Sequence, residues 1–238
     1  MRTNRELKEF FSNPVFYIIA GVFLALSGYK FYSLILSYTD IISSYPDYMF
    51  GGEISALMGM NVNTFLFPKL FGFYSYLILA AVPVLNAGIG YDRTLEIDKI
   101  ELMVNGLTET GLIIRKIITT TLLMLLILSP TILYPMILSV FTDIDYGVIV
   151  SSYIGLLILV FAASCVVTPF GIIKMPIAVS IFFNVVILII VYIYVLEPVF
   201  SSFLYGSIKL SLLLFIAIFS SALILFSSKI YESTRIFG

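Results

Sequence analysis

Six apolar runs of about twenty residues alternate with shorter polar stretches along this chain, at residues 15–36, 70–90, 117–140, 147–170, 176–196 and 210–228. A run of that length, coiled as an α-helix, spans a hydrocarbon core about 30 Å thick. The pattern predicts an all-α integral membrane protein: six transmembrane helices in one transmembrane domain over residues 1–238, with both chain ends on the same side. The first run is too long for the apolar part of a signal peptide, and Glu6 and Glu9 dilute the positive charge before it. It is read as an uncleaved span.

The polar stretches differ in character. Residues 2–13 place Arg2, Arg5 and Lys8 beside Leu7, Phe10 and Phe11, which predicts a short helix lying in the membrane interface; a solvated polar tail is the plainer alternative. Residues 37–69 form the longest external segment, rich in Tyr and Gly, and suggest no chemistry. Pro130 and Pro135 predict a kink in the third span, with Ser129 and Thr131 placed to satisfy carbonyls that the prolines free. A tight turn around Lys174 joins spans four and five. The apolar segment 197–209, broken by Pro198 and Gly206, is read as dipping into the outer leaflet and returning.

Charge sets the orientation. The chain is 61% hydrophobic and 11% charged, with 13 Lys and Arg residues. An inside N-terminus puts ten of those 13 in the cytoplasm and leaves Lys30, Lys69 and Lys209 outside. Cytoplasmic loops carry the excess of Lys and Arg, so both termini are expected in the cytoplasm of a cell (plasma or inner) membrane. Lys30 and Glu197 are read as lying near the outer ends of their spans, from which they snorkel outward. A net charge of −1 gives no basic surface for nucleic acid.

Catalytic chemistry finds little to use. The chain has no His, which removes Ser-His and Cys-His pairs and His-ligated metal sites. Asp92 at a helix exit has no second intramembrane carboxylate with which to share a proton, and no P-loop motif occurs. No catalytic, cofactor-binding or metal-ligating residue is therefore assigned, and the chain is read as not itself an enzyme. Cys165 falls inside an apolar run and reads as a buried, inert thiol. Asn86 and Asn184 are read as joining helices by hydrogen bonds, and Gly21, Ala25 and Gly28 as a face for close helix packing.

One stretch breaks the pattern. Residues 91–116, YDRTLEIDKIELMVNGLTETGLIIRK, hold nine of the 27 charged residues. Ile97, Ile100, Val104 and Leu107 recur at helical spacing while Glu96, Asp98, Lys99 and Glu101 take other faces, and Asn105-Gly106 supplies a stop. An amphipathic helix of about three turns between spans two and three is expected at the cytoplasmic surface. Docking in a groove of another protein and resting on the membrane surface are the two readings.

This run resembles the segment of ABC-2 type permeases that reads approximately E-E-(R/K)-x-x-G-T-(I/L)-E-L-L-L-(T/S)-x-P, followed by an apolar stretch and Gly-Lys. Ile100, Glu101, Leu102, Met103, Gly106, Leu107, Thr108 and Lys116 carry the match; Asp98-Lys99 stands where the family has Gly-Thr, Gly106 where it has Pro, and Arg115 where it has Gly. DYGVIVSSYIGLLILVFA at 145–162 and ELKEFFSNPVFYIIAGVFLALSG at 6–28 are similar to the branch containing the gliding-motility and nitrous-oxide-reductase-maturation permeases.

The resemblance implies a permease subunit of an ATP-driven transporter, an exporter, acting as a dimer or beside a homologous permease. It implies that residues 93–105 seat on a separate ATPase subunit, which holds the ATP and Mg, with Glu96, Asp98, Lys99, Glu101, Leu102 and Met103 at the contact. It also implies an interfacial helix at 2–13 (Arg2, Arg5, Lys8, Phe10, Phe11) beside that contact. The same features would serve a non-transporting membrane scaffold that recruits a cytoplasmic protein.

Overall fold

The computed structural model describes residue 11 and residues 14–44, 62–88, 108–140, 144–172, 176–205 and 210–236. All regular structure among these residues is helical. Helix α1 is Pro14–Ser44. The second crossing opens with a π-helical turn, Val62–Leu66, and continues as α2, Phe67–Gly88. The third is α3, Glu109–Leu128, then a 3₁₀ turn, Ser129–Ile132, then α4, Leu133–Ser139. Helix α5 is Tyr146–Ile172 and α6 is Ile177–Val191. A π-turn, Tyr192–Leu196, leads into α7, Glu197–Leu204, and α8 is Leu210–Ile236. Six of these helical stretches are long and apolar enough to cross a membrane, so the chain is a multi-pass membrane protein.

Four boundaries correct the reading of the hydropathy alone. Helix α1 runs to Ser44, well past residue 36, so Lys30 stands near its middle rather than near its end. The second crossing starts at Val62 instead of residue 70, which brings Lys69 onto the helix. The third starts at Glu109 instead of residue 117. There the Thr108 hydroxyl accepts from the Gly111 N–H at 3.2 Å, an N-cap that starts the helix before its apolar run begins. Glu109 in the first turn suits the positive end of the helix dipole. The fourth lies at the end of the fifth crossing, which continues as helix past residue 196 to Leu204.

The prolines of the third crossing are accommodated by hydroxyls. Pro130 has no N–H for the Leu126 carbonyl, and the Ser129 hydroxyl donates to that carbonyl at 2.9 Å. Thr131 donates to the Leu128 carbonyl at 2.6 Å. The backbone tightens to 3₁₀ over these four residues and resumes as α4.

Helix α5 is the centre of the bundle and packs against α2, α3, α6, α7 and α8. Residues 162–169 are all buried, which happens only to a helix surrounded on every side. Its small residues, among them Ser151, Ser152, Gly155, Ala162, Ala163 and Ser164, let neighbouring helices approach closely.

Helices α2 and α5 lie parallel and in constant register. Asn63 accepts from the Asp145 N–H at 3.0 Å at one end, the Phe71 and Tyr153 rings meet edge to face at 5.0 Å, and Asn86 reaches the Val167 carbonyl at the other end. Two parallel helices joined through α3 and α4 require the third crossing to run the opposite way. The two ends of the bundle are hereafter the Asn63 end and the Asn86 end. Phe23 packs near Tyr74, and Phe31 stacks on Tyr134 of α4, so α1 starts at the Asn86 end and rises toward the other.

Helix α7 does not simply prolong α6. Tyr192 is hydrogen-bonded to Ser75, which the register places level with Leu157 of α5. Phe203 lies against Gly155 and accepts, through its carbonyl, the Ser151 hydroxyl at 2.9 Å. The stretch from Tyr192 to Phe203 would advance about 16 Å as a straight helix. Both residues nevertheless land within about two turns of each other along α5, so α7 lies obliquely across that helix. The π-turn, in which the Glu197 N–H bonds back to the Tyr192 carbonyl, and Pro198, which lacks an N–H, supply the bend.

Candidate functional site: the Asn86 end of the bundle

The charged stretch connects the end of α2 to the start of α3. Residues 89–107 lie outside the described residues, and with them Glu96, Asp98, Lys99, Glu101, Leu102 and Met103. Arg2, Arg5, Lys8 and Phe10 of the N-terminal segment lie outside them as well. Phe11 is described: it is exposed, its ring meets Phe16 edge to face at 5.6 Å, and its carbonyl accepts the Tyr17 hydroxyl at 2.9 Å.

What the structure defines is how the two flanks of the charged stretch are anchored. At its start, the Asn86 side-chain amide donates to the Val167 carbonyl of α5 at 3.3 Å. At its end, Leu112, Ile113 and Ile117 of α3 form a second, separate apolar core with Cys165 of α5 and Tyr231 of α8. All five are nearly or fully inaccessible, Ile113 and Cys165 completely so. Both flanks therefore close on the same two turns of the central helix, at Cys165 and Val167. Sequence reasoning flagged Asn86 and Cys165 separately and had no means to bring them together.

Other sequence expectations fare differently. Asn184 does not join helices: its amide donates to Ser180 of its own helix at 3.3 Å, and its buried carbonyl oxygen has no partner. Of the small-residue face on α1, a Cβ at Gly21 would meet nothing within 4 Å and Ala25 is exposed; only Gly28 is approached, by the Tyr134 hydroxyl at 3.2 Å. Cys165 is buried, as its apolar run implied.

A cluster that sequence reasoning missed lies nearer the Asn63 end. Tyr74, Tyr134 and Tyr153 come together from three crossings with Phe23, Phe31 and Phe71. Tyr153 shares a hydrogen bond with Thr131 at 3.2 Å, whereas the Tyr74 hydroxyl is fully buried without a partner. Tyrosines are common all along this chain, so nothing local marked these three as neighbours.

Two lysines also sit within the crossings. The Lys30 ammonium lies 5.7 Å from the centre of the Phe73 ring, and the Lys69 ammonium 3.6 Å from that of Phe65. Phe73 is roughly 16 Å along its crossing from Val62, and its side chain leans back toward the Asn63 end as helical side chains do. Lys30 thus lies against the second crossing, well inside the length of its own helix. A Lys at the centre of a span costs about 2.5 to 3.5 kcal/mol, less toward the surface. A ring face returns about 0.5 to 2 kcal/mol, which offsets only part of the cost.

Compared with protein-family models, with curated proteins and with solved structures, the chain matches none.

Proposed function

We propose that this chain is the transmembrane permease subunit of an ATP-driven ABC-2 type transporter, working as an exporter. ATP and Mg act on a separate ATPase subunit that seats on residues 93–105, and a second permease copy or a homologous permease completes the membrane unit. Both termini lie on the ATPase side of a cell membrane. The resemblance of residues 91–116 to the coupling segment of that family motivates the reading. The observation that carries it is the convergence of both flanks of this stretch on α5, through Asn86 to Val167 and through Leu112, Ile113 and Ile117 to Cys165.

A partner that moves the stretch would pull on the central helix from two sides. Because α5 packs against most other helices, its displacement changes the whole arrangement. Coupling of this kind requires the ATPase to contact the stretch differently in its ATP-bound and ATP-free states, since a ligand shifts an equilibrium only through differential affinity.

The test is affinity purification of the tagged chain from native membranes in mild detergent, with mass spectrometry and ATPase assay of what accompanies it. The expected result is a P-loop ATPase in stoichiometric amount, lost when Leu102 and Met103 are both replaced by Asp in a chain that still inserts. Recovery of the inserted chain with no ATPase rejects the transporter reading and leaves the non-transporting scaffold.

A further inference from the structure

We propose that the start of α3, the Cys165 turn of α5 and the end of α8 form a release joint: a second core that opens as a unit of its own while the main core of the bundle stays closed. The inference concerns this chain alone and does not depend on the transporter reading.

Three helices meet in this core. Leu112, Ile113 and Ile117 of α3, Cys165 of α5 and Tyr231 of α8 pack together, with Ile224 and Ile230 partly buried against them. The main core is a separate and far larger cluster to which all six crossings contribute. Buried hydroxyls lie between the two. Along α3, Thr119, Thr120 and Thr121 separate Ile117 of the second core from Leu123 of the main one, and along α8, Ser220 and Ser227 separate Ile216 from Tyr231. Leu223, partly buried, borders both cores. Thr120 donates to the Lys116 carbonyl at 3.1 Å, Thr121 to the Ile117 carbonyl at 2.8 Å and Ser227 to the Leu223 carbonyl at 2.7 Å, each within its own helix. A hydroxyl bonded back onto its own helix does not hold that helix to a neighbour. The free energy of opening a region follows the apolar contacts it must break, so the small core opens before the large one.

The two flanks of the charged stretch are therefore mounted unequally. Asn86 is tied to Val167, which belongs to the main core, whereas the α3 flank rests on Cys165 in the second. With the joint closed, both flanks are fixed to α5. Opening it frees the α3 flank and leaves the Asn86 tie in place.

Cys165 is the only cysteine of the chain and is completely inaccessible, so its alkylation reports the opening. The full chain in nanodiscs is treated with N-ethylmaleimide, and the modified fraction is followed by intact mass spectrometry. Val160→Cys in a Cys165→Ala chain supplies the comparison, since Val160 is equally inaccessible on the same helix and belongs to the main core. Tyr231→Ala, which removes a large ring from the second core, should speed modification of Cys165 about a hundredfold and leave the rate at position 160 unchanged. If that variant fails to insert, Ile113→Val, the loss of one methyl group, should speed modification of Cys165 about fivefold with the same selectivity. Equal acceleration at both positions shows a single cooperative unit and overturns the proposal. So does a Cys165 rate that these substitutions leave unchanged.

Discussion

The Asn86 side-chain amide of α2 donates to the backbone carbonyl of Val167 in α5 at 3.3 Å, tying two parallel helices two residues before the end of α2. Interhelical hydrogen bonds in membranes contribute modestly, about 0.6 kcal/mol on average. Asn86→Leu should therefore lower stability by about 0.5 to 1 kcal/mol, read as a small fall in the thermal midpoint of the detergent-solubilised protein. A midpoint equal to that of the unaltered chain would show that the tie carries no energy.

Gly155 should not tolerate even a methyl group. A Cβ built there stands 2.7 Å from the Phe203 Cβ and 3.1 Å from its Cγ, and the Cβ cannot swing away as a side-chain tip would. Gly155→Ala is expected to destabilise by about 1 to 3 kcal/mol, the usual range for overpacking. Phe203→Ala should fail to rescue it, because the atom that is struck remains. Full rescue by Phe203→Ala, measured by denaturation midpoint, would argue against this packing of α7 on α5.

Tyr74 and Tyr153 should respond in opposite directions. Tyr74→Phe removes a buried hydroxyl with no partner and is expected to be neutral or to stabilise by about 1 kcal/mol. Tyr153→Phe removes the partner of Thr131 and should cost about 0.5 to 1 kcal/mol. Thermal midpoints of the two variants side by side decide the matter, and a larger loss from Tyr74→Phe would contradict it.

Ser129→Ala leaves the Leu126 carbonyl, already without a backbone donor because of Pro130, with no hydroxyl either. A loss of about 1 kcal/mol is expected. Restoring a donor through Ser129→Thr should recover most of it, and no loss in the Ala variant would mean that another group serves the carbonyl.

Charge reversal at Glu101 tests the coupling proposal directly. Glu101→Lys should reduce the substrate-stimulated turnover of the co-reconstituted ATPase while membrane insertion stays normal. Stimulation at the original level would remove Glu101 from the contact.

Part of this was legible from local pattern. The Ser and Thr residues around Pro130 announced their role, because a proline frees a carbonyl at a known spacing and a nearby hydroxyl reaches it. The start of α3 was misplaced because hydropathy sees Arg115 and Lys116 as the edge of an apolar run, while the backbone obeys the Thr108 cap about two turns earlier. Lys30 was misplaced for a related reason: α1 continues as helix through the polar residues Ser37, Thr39 and Asp40. The hydroxyls of Ser37 and Thr39 turn back onto the carbonyls of Ser33 and Ile35 and cost the helix little.

The sequence by itself determined that six helices cross the membrane and roughly where they do so, because lipid offers no hydrogen bonds and each apolar run must satisfy its own backbone. It also marked 91–116 as the most charged stretch of the chain. Only the tertiary structure decided that α5 is central, that α2 and α5 run parallel in register, that α7 lies across α5, and that Lys30 lies over Phe73 of the second crossing. The physical reason is that lipid tails and a protein interior are equally apolar. Hydropathy shows which residues avoid water; which of them avoid lipid depends on the close fit between particular helices, as between Gly155 and Phe203.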